Sequence, residues 1–175
     1  RVELARMAEE SIDARYYIWQ RDLTGIALLD ELRQAAERGV RVRLLVDDNG
    51  TPDLDVNLAA LNAMENAEVR IFNPFTLRSP RLLSYGFDFP RLNRRMHNKS
   101  FTVDGSATIV GGRNVGDIYF SRASDSQYSD FDLLLVGQAG TDRKSTRPNS
   151  CHSHISYAVI FVKEVVAHKA GKKVF

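Results

Sequence analysis

Between Tyr16 and Phe72 short apolar runs alternate with amphipathic stretches, and this alternation constrains the fold more than any other feature. Ile26 to Arg38 places Ile26, Leu29, Leu32 and Ala36 at helical spacing, and Gly39 follows as a C-terminal stop. Val40 to Val46 alternates Val40, Val42, Leu44 and Val46 with Arg41 and Arg43, the pattern of a half-buried strand. Asp47-Asp48-Asn49-Gly50-Thr51-Pro52 is turn chemistry. Leu54 to Met64 reads as another helix and Ala67 to Phe72 as another strand. Upstream, Leu4 to Ile12 reads as the end of an amphipathic helix. Asp13 to Trp19, with the run Tyr16-Tyr17-Ile18-Trp19, reads as the first strand. Strand, helix, strand, helix, strand predicts an α/β fold: a mainly parallel or mixed sheet flanked by helices. The chain has 175 residues, enough for one domain with a core. It contains no apolar run of about 18 residues that would read as a membrane span.

The second part of the chain reads differently. Asn73 to Met96 shows no clear periodicity. It interleaves Phe75, Leu77, Leu82, Leu83, Tyr85, Phe87 and Phe89 with Arg78, Arg81, Arg91, Arg94 and Arg95. A loop this long in a compact domain is usually functional or mobile. Two readings stay open: the lining of a lipid-binding mouth, or the packing of a short irregular helix. His97 to Val103 and Ala107 to Val110 then read as a hairpin around Asp104-Gly105, a strong turn dipeptide. Phe131 to Val136 is a last apolar strand, closed by Gly137.

The hairpin carries the chemistry. His97, Lys99, Asp104, Gly111, Gly112 and Asn114 form the pattern H-x-K-x4-D-x6-G-G-x-N within 18 positions. On a strand, residues two apart share a face, so His97 and Lys99 project together. A neutral imidazole can attack phosphorus, and an ammonium beside it can neutralise the non-bridging oxygens as charge builds. Asn114 can add an amide hydrogen bond to those oxygens. Gly111 and Gly112 permit a close backbone approach or a positive φ. Lys and Asn supply the electrostatics, so the chemistry requires no metal and no cofactor. Residues 1–140 hold 16 Arg but a single Lys, Lys99, and a single His, His97. Arg and Lys are not interchangeable at a compact phosphate site, so this bias points to a demand at that pair. A nucleophilic His97 also needs an acceptor to hold its other ring nitrogen.

The pattern resembles the signature of the phospholipase D superfamily, which cleaves and exchanges phosphodiesters through a phosphohistidine. Tyr16-Tyr17-Ile18-Trp19, Asp22-Leu23-Thr24-Gly25, Gly39 to Asp48, Phe72-Asn73-Pro74-Phe75 and Arg91 to Phe101 are similar to the first half of bacterial cardiolipin synthases. The resemblance covers Arg1 to Gly137. It implies a phospholipase D-like half-domain acting as a phosphatidyltransferase on phosphatidylglycerol or a similar phospholipid, at the periphery of the bacterial inner membrane. It also implies a site completed by a second H-x-K motif, absent here, from a missing C-terminal half or a second copy. The chain would then be truncated at both ends and inactive alone. In such enzymes the carboxylate that holds the motif's His opens a later strand. Ser129-Asp130-Phe131-Asp132 stands in that place, which makes Asp130 the expected orienting residue and Asp132 the alternative. Asp104 belongs to the signature, with a mainly structural part.

Two rival readings differ in class. One is a nuclease of the same superfamily that builds its site by dimerising. The other is a non-catalytic module that binds phospholipid or a partner. Residues 1–140 carry 17 basic and 20 acidic side chains, net −3, so no nucleic-acid partner is expected. The basic excess sits in residues 141–175, with 7 basic against 2 acidic. There the composition breaks: five of the six Lys, three of the four His and the only cysteine, Cys151, lie in this tail. Asp142 to Ser150 and His152 to Val159 resemble translated sequencing-adapter text, so the tail is expected to be non-native. The alternative is a genuine helix from Val159 to Lys169. Cys151, His152 and His154 lack the paired spacing of a zinc site.

Overall fold

The computed structural model describes residues 1–75, 92–120, 128, 130–137 and the backbone of 158–162. Its elements are α1 (Val2–Met7), β1 (Ser11–Tyr16), α2 (Leu23–Glu37), β2 (Arg41–Asp47), α3 (Asp55–Asn62), β3 (Ala67–Phe72), β4 (Ser100–Val103), β5 (Ala107–Gly111), β6 (Asp132–Val136) and β7 (Ala158–Val162). The strands form one sheet in the order β3-β2-β1-β4-β5-β6-β7. β1, β2 and β3 run parallel. β4 turns back antiparallel to β1, and each later strand is antiparallel to the one before it. The sheet is therefore mixed, and its parallel part is confined to the three strands joined by α2 and α3.

Alternation along the strands separates two faces. Ile12, Ala14 and Tyr16 of β1, Val42, Leu44 and Val46 of β2, and Phe101 and Val103 of β4 are buried together. They pack with Leu28, Leu29, Leu32, Ala35 and Ala36 of α2 and Leu58 and Leu61 of α3. The other face of β1 and β2 is polar, with the Arg43 guanidinium donating twice to Asp13 across the strands. α2 starts where Asp22 accepts the Gly25 amide at 2.9 Å, and Asp117 accepts the Thr24 amide at 2.9 Å. These two carboxylates serve donors that the helix itself leaves unpaired.

Two boundaries differ from the sequence expectation. The first helix ends at Met7 rather than Ile12, because Ile12, Ala14 and Tyr16 alternate into the core as β1. That strand ends at Tyr16, and the aromatic run continues past the sheet. Trp19 is fully buried against Tyr16, edge to face at 5.4 Å. It bridges Val115, and its indole donates to the Gly25 carbonyl at 3.0 Å. Within the tail, Ala158–Val162 is a strand on the edge of β6, which replaces the start of the alternative helix from Val159. Its β-branched and aromatic run suits that edge. The aromatic and arginine-rich stretch expected at a lipid-binding mouth lies, over 76–91, outside the described residues.

Candidate active site

The signature residues other than Asp104 gather at one end of the sheet. Ser100 of β4 pairs with both Arg15 of β1 and Val110 of β5, so the segment entering β4 runs between the C-terminal ends of β1 and β5. That segment carries His97 and Lys99. Beside it lie the C-terminal end of β2, the Gly111-Gly112 exit of β5 and the start of β6, where Asp132 pairs with Gly111. The C-terminal ends of parallel strands are where open α/β sheets bind ligands. A cavity of about 650 Å³ on the polar sheet face touches Asp104 but neither His97 nor Lys99, so the chemistry does not belong to it.

His97 and Lys99 lie just before β4, in extended chain rather than in the strand itself. His97 is exposed and Lys99 half-buried. The Lys99 ammonium donates to the His97 carbonyl at 2.8 Å and sits 5.8 Å from the Tyr17 ring centre. The same Tyr17 ring stacks on the His97 imidazole, with centroids 4.3 Å apart and planes 30° apart. Nδ1 of His97 faces the Arg95 carbonyl at 3.4 Å. Among the described residues, no hydrogen bond engages Nε2.

The entry into this segment is fixed from below. Asp47, fully buried at the end of β2, accepts from Arg95 Nη1 at 3.1 Å and from the Met96 amide at 3.2 Å. It also accepts the Asn49 amide at 2.9 Å. Arg95 is itself buried, donates to the Asn73 carbonyl at 3.4 Å and lies over the Phe75 ring at 4.9 Å. Removing one partner from such a pair costs about 3–5 kcal/mol, because the other charge stays buried. In the sequence Asp47 belongs to turn chemistry and Arg95 to a stretch without clear periodicity. The signal that marks Asp47 is its position at the C-terminal end of a parallel strand.

The carboxylates divide differently from the expectation. Asp130 accepts the Phe131 amide at 2.9 Å, and its own carbonyl accepts Arg113 Nη2 at 2.9 Å. The hydrogen bond expected from His97 to Asp130 is not made. The electrostatic partner of Asp130 is Lys99: burial pulls the ammonium below the ordinary lysine range, and the Asp130 charge opposes that pull. Asp132, the alternative, is a buried node elsewhere. It binds Arg1 Nη2 at 2.9 Å and the Arg113 amide at 3.4 Å, and Arg1 in turn donates to the Tyr16 hydroxyl at 2.6 Å. It pins the start of β6 and the loop after β5, and its carboxylate is already spent on arginine.

Asp104 is a tie, as its turn position implies. It accepts the amides of Glu9, Glu10 and Ser11 at 3.0, 2.8 and 2.8 Å. Burial pushes its carboxyl up, but these three bonds together outweigh burial and hold it below the ordinary carboxylate range. Asp104 and Gly105 both have positive φ, as a type I′ hairpin turn requires. Gly111 and Gly112 are needed for close approach rather than for φ. A methyl group on Gly111 would overlap Asp132 and the Phe131 carbonyl, and one on Gly112 would overlap the Asp130 carboxylate. Asn114 is buried, and its side chain already has two partners. Its oxygen accepts the Ile18 amide at 3.0 Å and its nitrogen donates to the Tyr119 hydroxyl at 3.1 Å. One amide hydrogen remains for an anion, so the first task of Asn114 is to hold the backbone next to Tyr17.

Comparison with known proteins follows the same line. A family model described as "Cardiolipin synthase, PLD-like domain" matches residues 2–149. The chain is 55% identical to cardiolipin synthase C of Escherichia coli over 142 residues, which is 81% of this chain and 30% of that protein. It therefore spans about a third of the length of that relative. Among solved structures it is similar to NucT from Helicobacter pylori, with a TM-score of 0.53 and 15% identity over 79% of this chain and 75% of that one. It is also similar to the phosphatidylserine synthase of Haemophilus influenzae, with a TM-score of 0.51 and 18% identity over 78% of this chain and 30% of that one. At these identities the two structures speak to the fold.

Proposed function

Because the chain belongs to the family of the cardiolipin synthase PLD-like domain, we propose that it carries one of the two H-x-K motifs of a phosphatidyltransferase that works through a phosphohistidine. Nε2 of His97 attacks the phosphorus of a phospholipid such as phosphatidylglycerol. A P–N bond forms and the bond to the first alcohol breaks. A histidine from a second H-x-K motif protonates the departing alcohol. It then takes the proton from the hydroxyl of an incoming phosphatidyl group, whose oxygen displaces His97 from phosphorus. The product carries two phosphatidyl units. Lys99 offsets the charge on the non-bridging oxygens, and the remaining Asn114 amide hydrogen adds to it. The second motif comes from the rest of a longer chain or from a second copy of this one.

The observation that supports this reading best is the exposed His97, whose ring lies with the Lys99 ammonium against Tyr17 and whose Nε2 makes no hydrogen bond among the described residues. Among the described residues no helix is long and apolar enough to cross a membrane. In this reading the domain meets its lipid from the membrane surface. The test is lipid mass spectrometry after the full-length protein is expressed in bacteria that lack cardiolipin. Appearance of a lipid with two phosphatidyl groups is the expected result; none at wild-type protein levels contradicts the reading. The purified 175-residue chain should be inactive as a monomer on phosphatidylglycerol vesicles. Turnover that rises with dimer formation would favour a site built from two copies.

A further inference from the structure

Among the described residues, no carboxylate is hydrogen-bonded to the His97 ring. Nδ1 has one long contact, the Arg95 carbonyl at 3.4 Å, and the side chain is exposed. What lies against the imidazole is a ring. Tyr17 stacks on it at 4.3 Å and 30°, and the Lys99 ammonium lies 5.8 Å from the same ring. The backbone around Tyr17 is held on both sides. Tyr16 belongs to β1, paired with Val46. Ile18 gives its amide to Asn114 Oδ1 at 3.0 Å and accepts the Val115 amide at 3.1 Å. The next residue, Trp19, donates its amide to the Gly50 carbonyl at 2.9 Å. A fixed aromatic face thus meets a histidine on extended, exposed chain.

We propose that Tyr17 is the positioning residue for His97: its ring sets the imidazole plane, with Nδ1 toward the Arg95 carbonyl and Nε2 outward, and its face holds the Lys99 ammonium alongside. The negative face of an aromatic ring attracts a cation, and offset stacking fixes a neighbouring ring without a hydrogen bond. On this view Asn114, by anchoring Ile18, supports the nucleophile through Tyr17. The consequence for catalysis rests on the phosphohistidine reading; the orientation of the ring does not.

Two readouts separate these. In the 175-residue chain, NMR of the His97 ring protons in wild type, Tyr17→Phe and Tyr17→Leu reports the stack directly. Wild type and Tyr17→Phe should show both protons shifted upfield by the neighbouring ring. Tyr17→Leu should lose the shift while core amide resonances stay in place. His97 ring shifts that are the same in Tyr17→Leu as in wild type would overturn the proposal. In the full-length protein, Tyr17→Leu should lower kcat for phosphatidyl transfer about 3- to 10-fold, the scale of one aromatic pair, with KM for lipid unchanged. Tyr17→Phe should restore it. An unchanged kcat in Tyr17→Leu, or an equal loss in Phe and Leu, would overturn the positioning role. A full-length protein with no transferase activity would instead overturn the functional reading, while the NMR result still decides the role of Tyr17.

Discussion

At the scale of single residues, the pair His97 and Lys99 was legible because the pattern joins rare residue types at fixed spacing. The partners of that pair were not. Asp130 stands where a carboxylate for His97 was expected, yet its charge acts on Lys99. Sequence position gives the neighbourhood of a carboxylate but not the direction it faces. Tyr17 sits in a run read as a buried strand, and only the end of β1 at Tyr16 turns its ring to the site. The electrostatics yield a pH prediction. Burial lowers the Lys99 ammonium from the ordinary lysine range and Asp130 raises it. Removing that carboxylate should therefore lower the midpoint further. NMR titration of the Lys99 side chain should place Asp130→Asn below wild type, and wild type below a free lysine. A midpoint that stays put in Asp130→Asn would show that Asp130 does not act on the ammonium.

At the scale of elements, the helix and strand alternation through Phe72 was readable from periodicity, with errors where a strand begins inside an apolar stretch. Ile12 fits a helical face and a strand face equally well on paper, and the pairing of Ile12 with Val42 and Val103 decides the matter. The hairpin of β4 and β5 was readable from Asp104-Gly105. What could not be read is that its turn docks on the chain between α1 and β1, because three amides separated from Asp104 by more than 90 residues make the contact. Asp104→Asn keeps a side chain that tolerates positive φ but removes the charge. It should cost about 1–2 kcal/mol at neutral pH, the scale of hydrogen bonds to a partly exposed charge. The native carboxyl titrates below its unfolded value, so its stabilisation is complete above the ordinary carboxylate range and is lost as pH falls through the native value. Urea unfolding of the variant and wild type should therefore differ at pH 7 and converge in acid. A gap that persists with both carboxyls protonated would mean that the turn geometry, not the charge, carries the effect.

At the scale of the whole molecule, the mixed sheet brings the ends of β1, β2, β5 and β6 and the entry to β4 together at one end, with one H-x-K motif there. The acidic balance of residues 1–140 and the basic balance of the tail belong to two differently composed stretches. We propose that the tail is dispensable. β7 joins the sheet at its edge, paired with β6 alone in the strand order. Thermal unfolding of residues 1–140 should stay within about 1 kcal/mol of the full chain, the scale of an ordinary point substitution; a larger loss would make β7 part of the fold. At the end of the sheet where the motif sits, we propose, His97 is one of two histidines that act in turn on one phosphorus. It is tested most directly by measuring phosphatidyl transfer by the full-length protein with and without His97→Asn, with folding checked by circular dichroism. The variant should fold and its kcat should fall by about three to four orders of magnitude, as when a member of a catalytic constellation is removed. A folded His97→Asn protein that still makes the two-phosphatidyl lipid at near wild-type rate would contradict it.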